Sequence, residues 1–126
     1  MAVGLVRLKK RRDFLRVAAG QRRAVRPGLL LQAAPQPAGS EAAVRVGFTA
    51  SRRVGNAVRR NRAKRRLRAA AAALLVRDGR PGTDYVLIAR AGTVERPYAE
   101  LVGDLAQALH QIDRLGPVRR SGGKER

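Results

Sequence analysis

Cysteine and tryptophan are absent from this chain of 126 residues, and aromatic side chains make up only 3% of it. Without cysteine there is no disulfide framework and no thiolate metal site, which fits a cytoplasmic protein. With so few rings, an aromatic platform that stacks several bases cannot be assembled. Acidic residues are scarce as well, 9 against 28 Lys plus Arg, for a net charge of +19. They are scattered, with no paired set that would hold Mg²⁺ for a protein-based nuclease. The single histidine, His110, falls beside the apolar face of a late helical pattern and reads as a helix-surface or boundary residue. Ser40 and Ser51 have no evident histidine partner, so no catalytic constellation can be drawn from the polypeptide alone. No apolar run is long enough to cross a bilayer; the longest candidate, 69–76, is mostly alanine.

What is abundant is positive charge, and it is uneven. Residues 1–68 carry 19 basic and 2 acidic side chains, whereas residues 69–126 carry 9 and 7. The concentration peaks at 51–68, SRRVGNAVRRNRAKRRLR, where 9 of 18 positions are Lys or Arg and none is acidic. An ordinary solvated helix mixes signs so that neighbours at i,i+4 support each other. Here the cations repel one another unless an external polyanion supplies the counter-charge, which favours nucleic acid over a membrane surface. An Arg-rich N-terminus superficially suggests a transit peptide, but the basic pattern continues far past any removable segment.

The pattern along the chain predicts a helix over 7–19 with Leu8, Leu15 and Ala18/Ala19 at helical spacing, and Gly20 as its stop. A strand over 29–34 follows Pro27-Gly28. The clearest strand is 42–51, with Val44, Val46, Phe48 and Ala50 on one face and Arg45, Gly47, Thr49 and Ser51 on the other. A long helix over 56–77 carries a narrow stripe of Ala63, Leu67, Ala70, Ala71 and Leu74, with Asn56 as a candidate N-cap. Arg59, Arg60 and Arg62 crowd its first turns, where the macrodipole disfavours cations and phosphate would be welcome. Residues 85–89 read as a buried strand. Pro97 opens a last helix that buries Leu101, Val102, Leu105, Leu109 and Ile112, with Tyr98 on the same face. Phe14, set among Lys9, Lys10, Arg12 and Arg16, either stacks a base or packs its helix on the sheet. Asn61 has no capping task, and its amide either meets a base edge, a 2′-hydroxyl or a neighbouring arginine or sits idle on the surface. Residues 117–126 are polar and basic and are expected to be a disordered tail behind a single domain of 1–116.

Residues 45–68 closely resemble the signature of the bacterial ribonuclease P protein component. The matching pieces are Arg45-Val46-Gly47, Ser51-Arg52-Arg53, Val54-Gly55-Asn56-Ala57-Val58 and Arg60-Asn61-Arg62-Ala63-Lys64-Arg65. Leu8-Lys9-Lys10 with Asp13-Phe14, and Asp84-Tyr85 through Arg90, are similar to its flanking motifs. The resemblance implies an α+β fold, a small two-layer sandwich of order αβββαβα with a left-handed βαβ crossover, as in a ribosomal-protein domain. It implies a monomeric subunit of a ribonucleoprotein that removes the 5′ leader of precursor tRNA, the RNA subunit carrying the chemistry with Mg²⁺. Carried onto this chain, the catalytic RNA would meet Arg52, Arg53, Asn56, Arg59, Arg60, Asn61, Arg62, Lys64, Arg65, Arg66 and Arg68. The leader would lie in a cleft formed by Phe14, Val17, Leu29, Leu31, Thr49 and Ser51, with Lys9, Lys10, Arg12 and Arg16 beside them. Where Ala18 and Leu31 stand, the family often has aromatics, so a weaker leader grip is expected, restored by tyrosine at 31. The rival readings are a structural ribosomal or general RNA-binding protein, a DNA-binding regulator and an autonomous nuclease. The first explains the charge but not the ordered match over 45–68; the second lacks the short turn-linked helix that precedes a recognition helix.

Overall fold

The computed structural model describes residues 5–20, 22–37 and 43–115. Its elements are β1 (Val6–Arg7), α1 (Arg11–Ala19), β2 (Arg22–Arg26), β3 (Leu29–Pro35), β4 (Arg45–Thr49), α2 (Ala57–Asp78), β5 (Thr83–Ala89) and α3 (Tyr98–Asp113), with a 3₁₀ turn at Arg52–Val54. The order αβββαβα is present, preceded by a two-residue strand. All strands join one mixed sheet in the order β1-β4-β5-β3-β2. β4 runs parallel to β1 and β5, while β3 is antiparallel to β5 and β2.

Period-two alternation sorts the sheet into two faces. Leu29, Leu31 and Ala33 of β3, Val46 of β4, and Tyr85, Leu87 and Ala89 of β5 enter the main core. There they meet Ala63, Leu67, Ala70, Ala71, Leu74 and Leu75 of α2, and Leu101, Leu105, Ala108, Leu109 and Ile112 of α3. The alanines of α2 let the helix backbone approach the sheet, and each fully buried leucine contributes roughly 1.5–3 kcal/mol of transfer free energy. α2 and α3 thus form one layer against the sheet, and α1 covers part of the opposite face through Leu8, Val17, Ala34 and Val86.

The structure differs from the sequence reading at one boundary, one helix face and one strand, for identifiable reasons. The first helix begins at Arg11, not 7, because the preceding residues hydrogen-bond along β4: Val6 N–H donates to Val44 O at 3.1 Å and Leu8 N–H to Val46 O at 2.8 Å. Its inward side is Phe14 and Val17, whereas Leu15 is 55% exposed. β2 supplies the first of the three strands expected between the first two helices, but the pattern does not place it, because its sequence, RRAVR, buries only Ala24 as an edge strand. Between β2 and β3, the Pro27-Gly28 turn is fastened from a distance. Gly28 N–H donates to Asp104 Oδ2 at 2.9 Å, and the Thr93 hydroxyl donates to Gly28 O at 2.7 Å. Asp104 is buried and also accepts from Arg96 Nε at 2.8 Å, so its charge is paired. The expected tail, 117–126, lies outside the described residues.

Candidate nucleic-acid interface

The entry to α2 is built by short-range hydrogen bonds. Ser51 accepts through its hydroxyl from Arg53 N–H at 3.3 Å, which starts the 3₁₀ turn. Gly55 then takes φ +142°, a conformation that side chains disfavour, and turns the chain into the helix. Asn56 is the N-cap: its Oδ1 accepts from Arg59 N–H at 2.9 Å. No acidic residue occupies the first turn.

The arginines of α2 fall into two groups. Arg59 Nε donates to Val54 O at 2.8 Å and Arg60 Nη1 to Gly55 O at 2.9 Å, so both fold back and brace the turn. Arg59 also pairs with Glu95, and that hydrogen bond holds the Glu95 carboxyl below its usual range. Arg66 donates to Arg96 O. In contrast, Arg62, Lys64, Arg65 and Arg68 have no hydrogen-bond or ion-pair partner among the described residues, and Arg52, Arg53, Asn61, Arg62 and Arg65 are exposed. Ala63 and Leu67 face inward, which turns these cations to solvent along the rest of the helix.

The second basic surface lies on the other face of the sheet, under α1. Cross-strand register sets three rows there: Arg45–Asp84–Ala34, Gly47–Val86–Gln32 and Thr49–Ile88–Leu30. α1 covers Ala34, Val86 and Gly47, and leaves Thr49, Ile88, Leu30 and Gln32 partly exposed as a cleft floor. Phe14 forms the wall. Its ring lies so close to the strand that a Cβ on Gly47 would sit 2.5 Å from both Cε1 and Cζ.

At the Arg45 end the cleft opens into a pocket of about 600 Å³ lined by Lys9, Lys10, Arg12, Asp13, Arg16 and Arg45 together with Arg7, Leu8 and Pro37. The Arg7 guanidinium turns away, over the Phe48 ring at 5.4 Å. Behind the pocket, the fully buried Asp84 side chain accepts from Arg45 Nε and Nη2, both at 2.7 Å, and from Arg16. The Asp84 hydrogen bond raises the Arg45 pKa above its ordinary value. Arg16 additionally donates to Pro35 O at 2.8 Å and reaches Asp13 at 3.3 Å.

Most expected leader residues lie around this cleft, with three corrections. Leu29 and Leu31 are fully buried in the main core on the opposite face, because β3 alternates one residue out of step with the assignment. Leu30 and Gln32 hold the positions facing the cleft, and a tyrosine at 31 would enter the core. Val17 is also fully buried and fastens α1 to the sheet instead of lining open space. Phe14, Thr49, Lys9, Lys10 and Arg12 are at the cleft, Ser51 lies just past its end, and Arg16 is tied to Asp84. Leu30, Gln32, Ile88, Arg45 and Asp84 are participants the sequence reading missed. The alternation of β4 already put Arg45 beside Gly47 and Thr49.

A mixed sheet with unpaired cations along one covering helix, and a basic cleft on its other face, defines a small α+β protein that binds a polyanion. No helix among the described residues is long and apolar enough to cross a membrane. Residues 4–113 match the family model of ribonuclease P, and the chain belongs to the ribonuclease P protein family, as a protein subunit of that enzyme. It is 53% identical over 117 residues to the ribonuclease P protein component of Paramagnetospirillum magneticum, covering 91% of this chain and 88% of that one. Identity to the Ruegeria pomeroyi protein component is 49% over 110 residues, covering 86% and 87%. In fold it is similar to the ribonuclease P protein of Staphylococcus aureus, with a TM-score of 0.68 at 23% identity over 82% of this chain and 92% of that one. The Thermotoga maritima protein gives a TM-score of 0.64 at 26% identity, over 80% and 92%.

Proposed function

We propose that this subunit works in the cytoplasm, binding the catalytic RNA of ribonuclease P through α2 and the single-stranded 5′ leader of precursor tRNA through the α1–sheet cleft, so promoting leader removal in tRNA maturation. The observation that carries the reading is the pair of basic surfaces joined by β4. Unpaired Arg62, Lys64, Arg65 and Arg68 follow its C-terminal end, and the Phe14 wall stands over its middle. Two polyanions held on opposite faces of one sheet would be brought together without a protein group touching the scissile bond. Fixed positive charge where they meet lowers their repulsion and the Mg²⁺ that the RNA requires for the chemistry it carries. Phe14 offers one face for base stacking, Leu30 and Ile88 make the floor largely apolar, and the Thr49 hydroxyl and Gln32 amide are its polar groups, so leader binding relies mainly on stacking and charge.

The test is 5′-end cleavage of precursor tRNA at low Mg²⁺, comparing ribonuclease P RNA alone, RNA with this protein, and protein alone. Stimulation only when both are present supports the reading. Equal binding to unrelated structured RNAs with no stimulation would return the protein to a general RNA-binding role.

A further inference from the structure

The pocket at the Arg45 end of the cleft holds more positive charge than a passing phosphodiester needs. Lys9, Lys10, Arg12, Arg16 and Arg45 surround about 600 Å³ of open space, and setting Asp13 and the buried Asp84 against them leaves a net +3. Lys9, Lys10 and Arg12 have no ion-pair partner among the described residues. Arg45 and Arg16 are preorganised: their shared carboxylate is fully buried, so both guanidiniums are held at the pocket wall before any ligand arrives. A leader backbone places one charge per nucleotide, whereas a compact polyphosphate places several in one cavity.

Position adds direction. β4 runs from Arg45 at the pocket to Thr49, and the chain then passes Ser51 into α2. The stretch from 45 to 51 spans about 20 Å. With the tRNA-proximal end of the leader beside α2, where the catalytic RNA sits in the proposed function on which this rests, the free 5′ end of a leader several nucleotides long points to the pocket. We propose that this pocket holds the terminal 5′-triphosphate of an unprocessed transcript.

The test uses the full chain assembled with ribonuclease P RNA, and one precursor tRNA prepared with a triphosphate, a monophosphate or a hydroxyl at its 5′ end. At fixed salt the triphosphate form should bind about ten-fold tighter than the hydroxyl form, with the monophosphate between. Changing Lys9, Lys10 and Arg12 to Ala weakens binding of all three forms and brings them to equal affinity. Inorganic tripolyphosphate should compete with the triphosphate form and leave the hydroxyl form bound; competition against neither would exclude a polyphosphate site, and equal competition against both would reduce the pocket to a general anion sink. Equal affinity of the three forms for the unmodified holoenzyme overturns the inference. If the protein still stimulates cleavage of the hydroxyl form, the leader reading survives that failure; if it stimulates none, the leader reading falls too.

Discussion

Replacing Gly47 by Ala tests how the cleft wall is held. The added Cβ would lie 2.5 Å from Phe14 Cε1 and Cζ and 3.2 Å from Leu8 Cβ. Carbon atoms pack at about 3.5–4.0 Å, so the ring must retreat by roughly 1 Å or more. Phe14 and Val17 share α1, and Val17 is fully buried against the sheet, so the ring cannot retreat without loosening that contact or leaving its rotamer. Overpacking of this kind costs about 1–3 kcal/mol, offset by about 0.4–1 kcal/mol because alanine restricts the unfolded chain. The expected net loss is therefore up to about 2.5 kcal/mol, read as a lower urea midpoint with the slope unchanged. The decisive comparison is the same substitution in a Phe14→Ala background. There the obstruction is gone, and Gly47→Ala should be neutral or slightly stabilising, leaving a coupling equal to the overpacking cost, about 1–3 kcal/mol, between the two sites. An equal penalty in both backgrounds would show that the ring is not what the glycine accommodates, and the cleft wall would have to be redrawn.

Asp84→Asn should destabilise by about 3 kcal/mol in urea unfolding, the low end of the range for breaking a buried pair, since Arg16 and Arg45 keep some access to water. A wild-type midpoint would refute the pairing. Leu31→Tyr should lower stability by about 1–3 kcal/mol through overpacking. Gln32→Tyr, on the cleft face, should instead tighten leader binding by up to about 1–3 kcal/mol per stacked base; the opposite pattern in unfolding and binding assays would reverse the assigned faces of β3. Replacing both Arg62 and Arg65 by Ala should make the dependence of log K for ribonuclease P RNA on log salt shallower by about 1.4–1.8, as loss of two phosphate contacts requires. Burial raises the Tyr85 hydroxyl above its ordinary value of 10.0. Its stabilising contribution is complete below pH 10 and is lost as pH rises through the raised pKa. Tyr85→Phe should flatten that alkaline loss in unfolding titrations while giving up about 1 kcal/mol with the Arg80 N–H bond.

The sequence carries the helices of this fold well and the sheet edges poorly. Ala63, Leu67, Ala70, Ala71 and Leu74 repeat at helical spacing over a segment long enough to be unambiguous, and all are buried. Asn56 as a cap follows from residue type and position alone. β1 could not be seen and β2 could not be placed from the pattern, because edge strands need only a few buried side chains and their pairing is a property of β4 and β3. The misassigned faces of β3 have a related origin. LLLQAA is apolar on both sides, so alternation gives no phase, and only pairing with β5 settles which leucine faces α1. Asp84 could not be read as an organiser of arginines because the strand register that opposes it to Arg45 is non-local.

Strand order has a consequence for synthesis. β5 sits between β4 and β3 and is the last strand made, so the sheet stays divided until residues beyond 83 have emerged. The hairpin of β2 and β3 forms from local contacts, but β4 and α2 must wait for long-range partners, the slow kind of assembly. During that interval the most cationic stretch of the chain has no completed sheet to pack on and lies open to RNA. A nascent chain of this topology is a polycation before it is a protein, and an RNA that binds only the folded helix would draw the equilibrium toward the native sheet.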